Sequence, residues 1–275
     1  MLITLLGTGN PIPDPNRAGP STLVRAGDSI LLFDAGRGVL QRVLGAGVFP
    51  AMINAVFLTH LHSDHITDLN DVVTTRWAMS PIPIALDVFG PPRTREVVDG
   101  MLAMLRPDIE YRLAHHADLT WEPEVRVHEH LEGTIFETES VRVLGAPTDH
   151  KPVEPTVGYR IEHDGKSVVI GGDGVPCAGL DVLCAGADAY VQTVLRDDLV
   201  SAIPSPRFHD TINYHSTVEQ AAQTAERNGV GTLVLTHYVP GFPPGSEMAD
   251  QWRDLAAQHF SGTIVVGDDL TTIDV

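Results

Sequence analysis

Thr59-His60-Leu61-His62-Ser63-Asp64-His65 follows directly on the apolar run Ala55-Val56-Phe57-Leu58. Three imidazoles and a carboxylate so close together have the donor density of a metal site. The nitrogen and oxygen donors suit zinc, manganese or iron, and no thiolate is involved. Side chains on so short a segment cannot all reach one tetrahedral ion without severe strain. They can serve two ions, with His60 and His62 at one and Asp64 and His65 at the other.

Working outward, three more apolar runs lead to a further donor. Val143-Leu144-Gly145-Ala146-Pro147-Thr148-Asp149-His150 leads to His150, Val168-Val169-Ile170-Gly171-Gly172-Asp173 to Asp173, and Leu233-Val234-Leu235-Thr236-His237 to His237. Each donor falls just past the carboxyl end of an expected buried strand, the edge at which sheet proteins commonly bind ligands. Together with the first cluster they supply the set that two ions need.

Other short apolar runs, bounded by Gly, Pro, Asn or Asp, predict strands at 2–6, 21–25, 30–33, 84–89, 157–162, 189–193 and 262–266. Helical periodicity predicts helices over 39–46, 66–79, 92–105, 218–228 and 248–259. Ser216 or Thr217 can cap the fourth of these, and Asn228-Gly229 can end it. The looser segment 108–139 reads as irregular edge strands. The long polar connection 195–214 reads as a functional loop. Hairpin-like strands mixed with helices predict an α/β layered sandwich, formed by one domain over residues 1–275.

The chain holds 36 acidic and 18 basic residues among its 275, a net charge of −18, and 13 histidines. A protein that grips a phosphate backbone needs clustered Lys and Arg, so this balance argues against a nucleic-acid or anionic-membrane partner. Cys177 and Cys184 make no disulfide framework, and the N-terminus lacks the basic region of a signal peptide, so a cytoplasmic location is expected. No stretch approaches the length of an apolar membrane span.

The string His-x-His-x-Asp-His, followed by a separate His, Asp and His, resembles the metallo-β-lactamase superfamily. Asp34, in Leu31-Leu32-Phe33-Asp34-Ala35-Gly36, resembles that superfamily's first motif. Leu6-Gly7-Thr8-Gly9, Phe33-Asp34-Ala35-Gly36-Arg37-Gly38 and His215-Ser216-Thr217 resemble its ribonuclease Z and arylsulfatase-like branch. The resemblance covers nearly the whole chain and implies an αββα sandwich with two zinc ions between the sheets, Mn2+ or Fe2+ being alternatives. It further implies that His60, His62 and His150 hold one ion, that Asp64, His65 and His237 hold the other, and that Asp173 bridges them. Asp34 would orient the His loop. Hydroxide generated on the metals would attack an ester-type bond. Asp64 would also orient the water, and His215 would give a proton to the leaving group.

The tRNA-processing bacterial members of that branch carry a long arm between the third metal His and the bridging Asp. Here His150 and Asp173 leave room only for a hairpin, and Arg37 stands where the family has Glu. With the acidic balance, these features set the expected substrate as a small molecule, a phosphodiester or aryl sulfate first and a carboxylic ester or lactone second. tRNA 3′ processing is disfavoured, no nucleic-acid partner is expected, and a homodimer is the assembly frequent among relatives. Trp77, Phe208 and Tyr214 are candidates for a pocket wall, Arg37 and Arg207 for contact with an anion, and Tyr238 for an oxyanion contact. His115, His116, His128, His130, His163, His209 and His259 show no ligand pattern.

Overall fold

The computed structural model describes Met1–Val275. Strands β1 (Leu2–Gly7), β2 (Ser21–Ala26), β3 (Ser29–Phe33), β4 (Ala55–Phe57), β5 (Leu86–Gly90) and β6 (Val125–Glu129) form one sheet. A second sheet takes β7 (Gly133–Glu137), β8 (Arg142–His150), β9 (Val153–His163), β10 (Lys166–Ile170), β11 (Ala189–Leu195), β12 (Thr232–Val239) and β13 (Thr263–Val266). β14 (Thr272–Asp274) returns to the first sheet beside β1. Each sheet is antiparallel on one side and parallel on the other, with β3 to β6 and β10 to β13 parallel.

The strands read as unbroken apolar runs because both faces of each sheet are covered. Leu31 and Phe33 face the layer between the sheets, while Leu32 faces the helices outside. Val168 and Ile170 likewise face inward and Val169 outward. Phe33, Phe57 and Phe89 stack across neighbouring strands at centroid separations of 4.9 Å, and they anchor the inner layer. Helices Val39–Gly45, Leu69–Met79 and Thr94–His115 close the first sheet, and Ala178–Cys184, Val218–Arg227 and Met248–Ala257 close the second. The result is the αββα sandwich.

Thr217 caps the helix Val218–Arg227 through a reciprocal capping box with Gln220. The helix expected over 66–79 is instead two, Ser63–Ile66 and Leu69–Met79, so the first takes in Asp64 and His65. The helix expected to end at Leu105 runs on through Pro107 to His115. Its last turns bury Ile109 against Trp77 and Leu119, and this packing offsets the missing proline N–H. The segment 108–139 therefore opens with helix, and only β6 and β7 are edge strands. Within 195–214 two short α-helices form, Asp197–Ser201 and Pro206–Asp210, the second running into a 3₁₀ turn at Thr211–Asn213. No helix is long and apolar enough to cross a membrane.

Candidate metal centre

β4 delivers the His-rich segment to the end of the sandwich, and Asp34, just after β3, fastens it there. The Asp34 carboxylate accepts hydrogen bonds from Thr59 N–H at 2.8 Å, from the Thr59 hydroxyl at 2.8 Å and from His65 Nδ1 at 2.7 Å. Ala35 N–H donates to His65 O at 2.7 Å. Thr59 Oγ1 in turn lies 3.1 Å from His60 Nδ1. Because both Nδ1 atoms are engaged as donors, the network turns His60 Nε2 and His65 Nε2 toward the donor groups as the nitrogens an ion would take. Asp34 itself has φ 58°, a left-handed conformation that costs a non-glycine residue energy and recurs at functional sites.

The second sheet supplies the facing donors. His150 is the last residue of β8, and its Nδ1 donates to Tyr214 O at 2.7 Å, which aims Nε2 inward. Asp173 lies beyond β10, on a turn held by Gln192 and Thr193, both of which donate to Gly172 O. His237 lies inside β12, not beyond it. Register shifts between the pairs Thr193–Thr236 and Leu195–Val239, and the extra residue puts His237 at φ 51°. Such a bulge re-aims a side chain.

These donors converge on two groups. His60, His62, His150 and Asp173 form one, and Asp64, His65 and His237 the other; within each, the ligating atoms lie within 4.8 Å of one another, and His215 is equally close to Asp173 and His237. Asp173 Oδ2 joins the groups: it is 3.4 Å from His65 Nε2, 3.5 Å from His237 Nε2, 3.8 Å from His60 Nε2 and 4.0 Å from His150 Nε2. Asp64 Oδ2 is 3.2 Å from His237 Nε2. His65 Nε2 and Asp173 Oδ1 are buried without a hydrogen-bond partner. Unpaired buried polar atoms are costly, so these fit a site built for cations. Imidazole and carboxylate donors match the nitrogen and oxygen preferences of zinc, iron and manganese.

The electrostatics agree. Burial, assisted by His65, holds His60 well below the ordinary imidazole range, and burial takes His150 down to about 4. Burial works to raise the Asp173 carboxyl, but His237 and His65 beside it overcome this and hold it well below the usual carboxylate range. For His65 burial works downward, and Asp173 with Asp34 push it well above the ordinary value. His237 moves up for the same reason, under Asp173 and Asp64. Without metal, then, charge at the second group is balanced by protons, which an arriving cation must displace.

A cavity of about 230 Å³ opens over these donors. Asp173, His215 and His237 line it, together with Pro11, Ile12, Arg207, Phe208 and Tyr214. His215 donates from Nδ1 to Thr211 O at 3.0 Å, and its Nε2 lies 3.2 Å from Asp173 Oδ2. Ser216 donates to Gly174 O at 2.7 Å, tying the helix start to the Asp173 turn. Phe208 and Tyr214 thus lie where a pocket wall was expected. Trp77 does not: it is core, with its indole N–H bonded to Trp121 O. Tyr238 is fully buried with its hydroxyl at Leu235 O and Gly267 O, so it packs and does not meet an oxyanion. The seven other histidines belong to neither donor group. Sequence reasoning missed Thr59, the carbonyls of Tyr214 and Thr211, and Asn10, which fixes the Pro11–Ile12 wall by bonds to Tyr238 O and Ile12 N–H.

Comparison with known proteins fits this architecture. The β-lactamase superfamily domain model matches residues 30–238. A protein named ribonuclease Z from Mycolicibacterium paratuberculosis is 57% identical over 275 residues, covering 99% of this chain and 98% of the relative. Among solved structures, the metallo-β-lactamase fold protein YhfI from Bacillus subtilis superposes with a TM-score of 0.77 at 22% identity, covering 99% of this chain and 98% of that one. Human tRNase Z, short form, superposes with a TM-score of 0.72 at 24% identity, covering 100% and 99%.

The ribonuclease name overturns two expectations, a small-molecule substrate and the absence of a nucleic-acid partner. The short link between His150 and Asp173 is indeed a plain hairpin of β9 and β10. Yet the M. paratuberculosis protein is matched nearly end to end, so a compact chain does not separate this protein from bearers of the name. Net charge is likewise an average over the surface, whereas a polynucleotide meets the local field of a cleft. The expected arylsulfatase-like character finds no support among these relatives. Fold, donor set and full-length identity together place the chain in the metallo-β-lactamase superfamily, as a metal-dependent hydrolase of its ribonuclease Z branch.

Proposed function

We propose that the protein is a zinc-dependent endoribonuclease that cuts precursor tRNA at its 3′ side. The observation that carries this reading is the 57% identity, over nearly the whole of both chains, to a protein named ribonuclease Z. The donor set supports it, because a phosphodiester needs strong charge neutralisation. His60, His62 and His150 would hold one zinc ion and Asp64, His65 and His237 the second, with Asp173 shared between them. The ions would activate water and neutralise the charge that builds on the phosphoryl oxygens.

The protein's own residues handle position and protons. Asp34 and the carbonyl of Tyr214 fix the tautomers that present Nε2 of His65 and His150. Asp64, at the edge of the second group, orients the water. His215, anchored through Nδ1 to Thr211 O, turns Nε2 into the site, where it lies 3.2 Å from Asp173 Oδ2. As the oxygen of water bonds to phosphorus and the bond to the leaving ribose oxygen breaks, that oxygen takes the proton from His215 Nε2.

The test uses metal-stripped and zinc-loaded protein with two substrates, a precursor tRNA bearing a 3′ trailer and a chromogenic phosphodiester. Zinc-dependent cutting at one position 3′ of the acceptor stem is expected. An intact precursor under conditions where the chromogenic diester is hydrolysed would overturn the reading.

A further inference from the structure

Nearly every arginine and lysine of this acidic chain is engaged. Some meet carboxylates, as Arg42 meets Asp269 and Arg160 meets Glu162, and others meet carbonyls or hydroxyls, as do Arg25, Arg76, Arg95 and Arg142. Arg37 and Arg207 are exposed and have neither, and of the two only Arg207 lines the cavity over the donor groups. Asp210, one turn along the same short helix, takes its side-chain hydrogen bond from Asn213 Nδ2 at 3.3 Å and leaves Arg207 free. An unpaired arginine is a departure in a chain with 36 acidic residues.

Its position gives the departure meaning. Arg207 lines the cavity above Asp173, His215 and His237. Phe208 beside it packs against the buried cluster of Leu195, Val200 and Val239, which anchors the helix that carries the guanidinium. Pro11 and Ile12, which also line the cavity, offer no charge. The histidines that line it are committed to the donor groups or, for His215, to Asp173. Arg207 is therefore the one free cation lining the cavity that Asp173, His215 and His237 also line. Its planar fork matches two phosphate oxygens better than an ammonium would.

We propose that Arg207 docks a second phosphate of the substrate, the one next along the strand on the 3′ side of the scissile linkage, and thereby selects polynucleotides over isolated diesters. The proposal rests on the phosphodiesterase reading above. It assigns Arg207 to binding, with no part in bond breaking.

Two chromogenic substrates separate the claims: thymidine 5′-(p-nitrophenyl phosphate), with one phosphate, and its 3′-phosphorylated form, with two. The zinc-loaded wild-type protein is expected to favour the second by about tenfold or more in kcat/KM, as a charge-assisted bidentate contact allows. In Arg207→Ala that ratio is expected to fall to about one, and Arg207→Lys to recover part of it. Unfolding temperatures of the variants are measured alongside, so that loss of fold is recognised. A wild-type ratio near one, or a ratio that survives Arg207→Ala, overturns the assignment. If both nucleotides are hydrolysed with the expected ratios while precursor tRNA stays intact, the tRNA reading fails and the role of Arg207 stands. Hydrolysis of neither overturns both.

Discussion

Asp34→Asn is the sharpest single test of how the centre is held. Asparagine tolerates left-handed backbone, so the φ of 58° at this position adds little strain to the variant. Chemically the change is severe. Asp34 Oδ1 accepts from Thr59 N–H, and Oδ2 accepts from both the Thr59 hydroxyl and His65 Nδ1. If the amide keeps its oxygen on Thr59 N–H, its NH2 faces His65 Nδ1. That nitrogen must then accept, which moves the imidazole proton to Nε2, the atom needed for metal. If the amide flips, Thr59 N–H is left facing a donor. Either arrangement breaks one link, and the loss of an orienting partner costs about 10- to 100-fold in metal affinity, or about 1.4–2.8 kcal/mol. A charged hydrogen bond lost from the fold adds about 1.5–3 kcal/mol, and each kcal/mol lowers Tm by about 2–4 °C at this size. Zinc affinity measured by chelator competition, beside thermal unfolding of metal-free protein, gives both numbers. Zinc affinity within about threefold of wild type would refute the claim that Asp34 sets the tautomer of His65.

The pH dependence follows from the charges around Asp173. His65 and His237 are raised, so in metal-free protein they contribute stability that is present below the ordinary imidazole value of 6.5 and is lost as pH rises through their raised values. Asp173 is lowered, so its contribution is lost only as pH falls through a value well below 3.8. The Tm gain on adding zinc should therefore widen from pH 6 to pH 9; a gain that narrows over that range would contradict this charge balance. His215→Ala should slow a diester with a poor leaving group by about 10²-fold or more and spare an activated one; equal slowing of both would count against proton donation from His215 Nε2. Trp77→Ala should cost about 3–5 kcal/mol of stability, because the side chain is only 4% exposed among Ile109 and Leu119, while kcat per folded molecule is retained. A fall in kcat without a fall in Tm would return Trp77 to the substrate wall.

The candidate donors are legible because each is a side chain of distinctive type at the end of an apolar run, and the structure brings them together. The strands on which they sit are legible for a related reason: burial on both faces makes β1 and β3 nearly free of polar residues and leaves the apolar runs Val168–Ile170 in β10 and Ala189–Val191 in β11. The edge strands β6 and β7 are half-exposed and mix His, Arg and Glu with Val and Ile, so their pattern is faint. The continuation of a helix through Pro107 depends on Trp77, thirty residues earlier, and no local signal carries it. The groups that orient His150 and His215 are the carbonyls of Tyr214 and Thr211, and a carbonyl looks the same under every residue name. The substrate was misjudged for a different reason. Total charge reports how a protein behaves at a distance, and says little about the local field inside one cleft.

The division of the seven donors between the two sheets has a mechanical consequence. His60, His62, Asp64 and His65 ride on the first sheet, and His150, Asp173 and His237 on the second, and each donor group draws on both. Elsewhere the sheets meet through Phe33, Phe57, Tyr159 and their neighbours, contacts that slide past one another under load. Ions seated in these groups would act as rivets through two plates at one end of the stack. Pulling the sheets apart from that end would then meet a stiff, metal-dependent resistance, while peeling from the opposite end would meet only the gradual yielding of apolar packing.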